Sequence, residues 1–105
     1  MTSFRLSEQA MRDVVRLLLE SRERWGDLVA QRMRKRLVGR FAMIAEGAAR
    51  GHRRSDIPQH LPLRFVVAPP FVIAFHAETR EIVRVVHGRR DVNALVGTVM
   101  DVSEG

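Results

Sequence analysis

An α+β fold, with a pair of amphipathic helices followed by an antiparallel sheet, is what this sequence predicts. Two observations predict it. Apolar residues recur at spacings of three and four through the first half of the chain, from Ala10 to Ile44. Three short apolar runs, Leu63–Ala68, Phe71–Ala77 and Ile82–His87, then follow one another with turn residues between them. A chain of 105 residues is enough for one core and too short for two. The expected organisation is a single domain over residues 1–97 and a short flexible tail over 98–105.

Thr2–Leu6 reads as a short extended segment, with Phe4 and Leu6 alternating against Ser3 and Arg5. Ser7 supplies an N-cap hydroxyl, and Glu8 places a negative charge where the helix dipole favours it. The helix that follows sets Ala10, Met11, Val14, Val15, Leu17 and Leu18 in one broad arc, with Trp25 on the same side. Glu8–Arg12 and Glu20–Arg24 are acid-before-base pairs four apart on the opposite, solvated side. Gly26-Asp27 breaks the pattern and opens a second helix, whose apolar stripe is Val29, Met33, Leu37, Phe41 and Ile44. So short a link predicts an antiparallel helical hairpin. Gly47 begins the exit, and Arg50–Pro58 is loop chemistry.

Pro69-Pro70 cannot continue a central strand, because proline lacks the ladder donor, so it marks a turn. Ala77-Glu78-Thr79-Arg80 marks the next. The three runs become a meander within a three- to four-stranded, mainly antiparallel sheet that includes the N-terminal segment. Period-two alternation puts Leu63, Phe65 and Val67 on one face of the first strand, and Arg64, Val66 and Ala68 on the other. Phe71, Ile73 and Phe75 oppose Val72, Ala74 and His76 in the second strand. The third sets Val83 and Val85 against Ile82, Arg84 and Val86. Apolar residues thus occur on both faces, and one helical hairpin covers only one. The second face is expected to need a partner, a dimer contact or the C-terminal segment. Asp91 can cap a short last helix, Val92–Val96, stopped by Gly97.

Composition excludes several chemistries. There is no cysteine, hence no disulfide, thiolate metal site or cysteine nucleophile, which is compatible with a reducing cytoplasm. The charged residues at regular intervals from Arg5 to Arg16 do not fit a signal-peptide core, and no apolar run reaches the roughly 18–20 residues of a membrane span. A cytoplasmic protein is expected. His52, His60, His76 and His87 lack the close pairing of zinc ligands. The serines have no nucleophile-elbow glycines, and neither nucleotide-binding glycine fingerprint is present. No metal or cofactor is expected.

Eighteen basic against twelve acidic residues give a net charge of +6, which favours anionic partners. Only Lys35 among the basic residues is lysine, a bias that a GC-rich genome alone produces, so placement carries the information. Arg32, Arg36 and Arg40 form a stripe four apart that borders the apolar arc of the second helix. It reads either as a solvated edge paired with Asp13 or Glu20, or as a docking groove for an acidic protein segment. A second basic set, Arg64, Arg84, Arg89 and Arg90, is brought together by the meander with His76 and His87 nearby. It reads either as surface charge around a turn or as the phosphate-holding and proton-moving groups of an RNase. On a regular strand, however, Arg84 and His87 point to opposite faces.

Phe4-Arg5-Leu6-Ser7 opening a helix, Trp25-Gly26 at the hairpin turn, and Glu81-Ile82-Val83-Arg84-Val85-Val86-His87-Gly88-Arg89-Arg90-Asp91 closely resemble the ParE branch of the ParE/RelE toxin family. The resemblance spans roughly residues 3–96, and its last motif is the most specific. Ala68-Pro69-Pro70 departs from it, standing where a glycine-containing turn is usual. The resemblance implies the RelE/ParE-like toxin fold and the toxin role in a bacterial type II toxin–antitoxin pair. It also implies a cognate antitoxin with an acidic, partly disordered segment, docking on Arg32, Arg36, Arg40, Val66 and Val72. ParE-like members inhibit DNA gyrase, whereas RelE-like members cut mRNA in the ribosome. The absence of tyrosine leaves a RelE-type cutting set incomplete and favours gyrase. On that reading there are no catalytic residues, and Arg84, His87, Arg89 and Arg90 form the target-binding surface. On the RelE-like alternative, Arg64, Arg84, His87 and Arg90 would be catalytic.

Overall fold

The computed structural model describes residues 3–55 and 57–88. Two helices, α1 (Glu8–Trp25) and α2 (Asp27–Glu46), precede three strands, β1 (Leu63–Ala68), β2 (Phe71–His76) and β3 (Ile82–His87). The strands form one antiparallel sheet in the order β1-β2-β3. The expected last helix over Val92–Val96, and Arg89 and Arg90, lie outside the described residues. No helix among the described residues is long and apolar enough to cross a membrane.

The helix starts and stops follow the sequence signals. Ser7 caps α1, its hydroxyl accepting from the Ala10 amide at 3.1 Å while donating to the Val83 carbonyl at 3.0 Å. One residue, Gly26, separates the helices. Its amide donates to Arg22 O at 2.8 Å and its carbonyl accepts from Ala30, so it ends one helix and begins the next. That double duty requires φ of 92°, a region glycine enters without steric penalty. Gly47 closes α2 in the left-handed conformation.

The N-terminal segment makes a single parallel bridge to the outer edge of β3, Leu6 to Ile82. Ile82 N donates to Arg5 O at 2.9 Å and Ser7 N to Ile82 O at 2.8 Å. This pairs the start of an edge that would otherwise template aggregation.

The helix-side core joins Ala10, Leu17, Leu37, Phe41 and Ile44 to Val66, Ala68, Phe71, Ile73, Phe75, Ile82 and Val85. Strands β1 and β2 alternate as the sequence predicts. β3 does not. Phe75 pairs with Ile82 but Ala74 with Arg84, so Val83 is an extra residue and the strand bulges. A bulge resets the parity, and Ile82 and Val85 both face the helices while Val83 and Val86 join the other side.

The second face of the sheet is not left open for a partner. Ile57 and Leu61, from the loop between α2 and β1, are buried with Leu63, Phe65, Val72, Ala74 and Val86 in a second apolar cluster. His52 anchors the same loop by a two-bond bridge to Phe65, at 2.9 Å each way. The loop chemistry around Arg50–Pro58 hid Ile57 and, just beyond it, Leu61, an isolated apolar pair with no run around it to mark a helix or a strand.

The arc expected on α1 also divides. Ala10 and Leu17 are buried and Val14 and Leu18 half-buried, but Met11, Val15 and Trp25 are about half exposed, as is Leu19 beside them. The buried register instead runs Ala10, Asp13, Leu17, Ser21. A carboxylate occupies a core position.

Candidate functional site

Asp13 is 1% exposed and fully partnered. Its Oδ2 accepts from Arg84 Nε at 2.7 Å and from the Val85 amide at 3.0 Å. Its Oδ1 accepts from Arg84 Nη2 at 3.2 Å and Gln9 Nε2 at 3.1 Å, and Arg16 lies 3.8 Å away. The side-on fork of Arg84 is the strong, orientation-specific form of this pairing. Through the Val85 amide, Asp13 also takes up a backbone donor of β3 beyond the reach of the N-terminal segment. Asp13 is thus the partner of Arg84 rather than of the α2 arginine stripe. Arg84, whose side chain is largely buried, joins α1 to the sheet. The signal for this was in the sequence: an acid in register with Ala10 and Leu17 is out of place unless something pairs with it.

Among the described residues of the RelE-like alternative, Arg64 and His87 are not brought together. Arg64 pairs in register with Phe75 at one end of the sheet, and His87 pairs with Phe71 at the other. Phe71 and Phe75 are four strand positions apart, about 13 Å at roughly 3.3 Å per residue. His87 lines a cleft of about 400 Å³ between the C-terminal half of α1 and the β1–β2 turn, together with Leu17, Glu20, Trp25, Pro70 and Phe71. His76 is at the opposite end again, its Nδ1 accepting from the Glu78 and Thr79 amides at 3.2 Å each, where it shapes the β2–β3 turn. Among the described residues, no group of three or more histidine, aspartate or glutamate side chains is placed to hold a metal ion.

Of the residues expected to meet an acidic partner, Arg32 and Arg36 are exposed and Arg40 half-exposed. Arg36 reaches across to donate to the Pro69 carbonyl at 2.6 Å, which sets the stripe beside β1. Val66 and Val72 need correcting. Val66, 8% exposed, lies under the helices, and Val72, 7% exposed, lies in the second apolar cluster, so each is already covered by this chain's own residues. The accessible apolar residue on β1 is Val67, 47% exposed. Its backbone faces the same outer edge that Phe65 shares with His52, and no described residue continues that pairing.

A second exposed apolar strip takes Met11 and Val15 from the expected core arc and adds Leu19. Met11, Val15 and Leu19 lie one turn apart on the outside of α1, bordered by Arg12, Arg16, Glu20 and Glu23. The strip continues into a shallow groove between the helices, walled by Leu18, Arg22, Ala30 and Arg34.

No curated protein matches the chain. Residues 4–92 match the family model described as the ParE toxin of the type II toxin-antitoxin system parDE. The matched span takes in the N-terminal segment, the helical hairpin, all three strands and the Arg84–His87 motif, and the α+β architecture agrees with it. With all but the two ends of the sequence accounted for, the chain belongs to the ParE toxin family of type II toxin–antitoxin systems.

Proposed function

We propose that this toxin inhibits DNA gyrase by stoichiometric binding and is neutralised by a cognate antitoxin. The observation that carries the choice of target is the separation of Arg64 from His87, together with the engagement of Arg84 by buried Asp13. A ribosome-dependent mRNA endoribonuclease, the alternative, needs arginine donors and a proton-transfer group around one scissile phosphate. Arg84 cannot leave Asp13 to serve there without stranding a buried carboxylate. His87 and its surrounding cleft, with Arg89 and Arg90 following in sequence, are the proposed target-contacting end, while Arg84, also expected there, is taken up by Asp13.

The antitoxin surface is proposed along Arg32, Arg36 and Arg40, beside the outer edge of β1. An extended acidic segment there would pair with the Val67 backbone while its carboxylates meet the guanidinium stripe. The toxin works in the cytoplasm on this reading, as gyrase does.

Adding purified toxin to gyrase and relaxed plasmid tests the target. Supercoiling is blocked or cleaved DNA accumulates, and the product of the neighbouring antitoxin frame reverses the effect. Unimpaired supercoiling at several-fold molar excess of toxin, with cuts appearing in translated mRNA, overturns the reading in favour of the alternative. For the antitoxin surface, Arg32→Gln/Arg36→Gln weakens antitoxin binding in calorimetry, and unchanged affinity rejects the assignment.

A further inference from the structure

At the end of the sheet remote from His87, Arg50, Arg64 and Arg80 line one cleft of about 600 Å³ with Gly47, Gly51, Phe75 and Ala77. Three cations from three different segments share it: the loop after α2, the start of β1, and the β2–β3 turn. Arg80 is held in place by its own backbone and side chain. Its φ is 63°, it donates to the Ile44 carbonyl at 3.2 Å, and its guanidinium lies over Gly47, 3.4 Å from where a Cβ would be. The last carbonyls of α2 would repel an anion, and Arg80 takes one of them up. Arg50 and Arg64 make no hydrogen bond or ion pair with any described residue. Glu46, Glu78 and Glu81 are near in sequence, yet none lines the cleft.

Like charges gathered without a counter-charge destabilise the fold unless something anionic arrives. The floor is closely packed, with the Gly51 backbone drawn against the sheet. Gly51 has φ of 70°, and a Cβ there would sit 2.8 Å from the Phe75 ring and 3.0 Å from Arg64 Cβ. Small residues at the floor and forked donors at the walls suit a group with several equatorial oxygens. Phe75 is buried, so the cleft offers no ring for a base to stack on and no apolar seat for an amphipathic segment. That favours a ligand bringing charge without greasy anchors. Phosphate contacts of this kind hold a backbone and read no sequence.

We infer that Arg50, Arg64 and Arg80 form a phosphodiester-binding cleft that engages the backbone of a nucleic acid. It stands apart from the gyrase reading, since it uses the other end of the sheet and needs no topoisomerase.

The test uses the full chain and a labelled single-stranded oligonucleotide of about 20 nucleotides, followed by fluorescence anisotropy over a range of salt. Arg50→Gln/Arg64→Gln should weaken binding about tenfold. It should also lower the slope of log affinity against log salt by about 1.4, at roughly 0.7 per phosphate contact. Arg12→Gln/Arg34→Gln, which removes the same charge from the outer face of the hairpin, should leave that slope unchanged. If the first pair lowers the melting temperature, the exposed Arg50→Gln alone should give half the slope change in a folded protein. Failure of the parent to bind, or equal losses in both pairs, overturns the inference. So does equal competition by a polyglutamate peptide, which reassigns the cleft to acidic protein, or saturation by inorganic phosphate at matched ionic strength, which reassigns it to a free ion. Gyrase inhibition measured in parallel keeps the two readings distinct: inhibition without oligonucleotide binding rejects the cleft and leaves the target standing.

Discussion

Asp13 joins two parts of the chain, the inner face of α1 and the bulged β3 with its Arg84 side chain. A carboxylate taken from water this completely is tolerable only because four donors replace the lost hydration. Removing one member leaves the other buried without a counter-charge. Asp13→Ala should therefore destabilise the fold by about 3–5 kcal/mol in urea denaturation. Asp13→Leu/Arg84→Met should recover much of that loss, because an apolar pair of similar volume avoids the desolvation penalty. A double variant no more stable than Asp13→Ala would show that the Val85 amide, and not the ion pair, is what Asp13 chiefly serves. At Gly51, the positive φ and the Phe75 ring both oppose a side chain. Gly51→Ala should cost about 1–3 kcal/mol by the same measurement, and a neutral result would mean the loop relaxes away from the sheet.

Helix α1 carries two apolar stripes, and only the one running through Ala10, Val14 and Leu17 meets the sheet. The other, Met11, Val15 and Leu19, faces outward. The two differ by about one residue step around the helix, so a broad arc in the sequence cannot say which half is covered. The difference is measurable. Leu17→Ala should cost about 2–5 kcal/mol through lost burial and cavity formation. Leu19→Gln should stay within about 0.5 kcal/mol of the parent, as exposed substitutions do. Comparable losses at both positions would mean that the hairpin packs in another rotation. In β3, one inserted residue, Val83, decides which valine enters the core. Alternation of apolar residues reads the same with or without a bulge, so strict parity grouped Val85 with Val83, whereas it packs with Ile82.

Over the whole molecule, the net charge of +6 is unevenly spent. Arg84 is consumed by the fold, Arg36 and Arg80 tie α2 to turns, and Arg32, Arg50 and Arg64 are held towards solvent or a cleft. A surplus of this sign attracts an acidic partner at long range, and salt screens that attraction over about 10 Å at 0.1 M. Association with the antitoxin should slow by about tenfold or more between low and moderate salt while dissociation changes little. Stopped-flow mixing of the two proteins would read this directly. A salt-insensitive association rate would mean that apolar contacts, such as those on the Met11 strip, govern the encounter.

What the sequence by itself determined is local. Hydrogen-bonding caps at Ser7 and Gly47, the glycine between the helices, the proline turn and the period of each apolar run depend on neighbours within a few positions, and all are legible there. The family motifs were legible too, and they fall within residues 4–92, the span that the family model matches. Only the tertiary structure decided what covers what: that Ile57 and Leu61 cover the second face, that Val66 lies beneath helices, that Asp13 finds Arg84 71 positions away, and that Arg64 and His87 part company. Burial and charge pairing depend on distance in space. Two chains with the same periodicities can close different faces, and a single bulge or a folded-back loop is enough to choose between them.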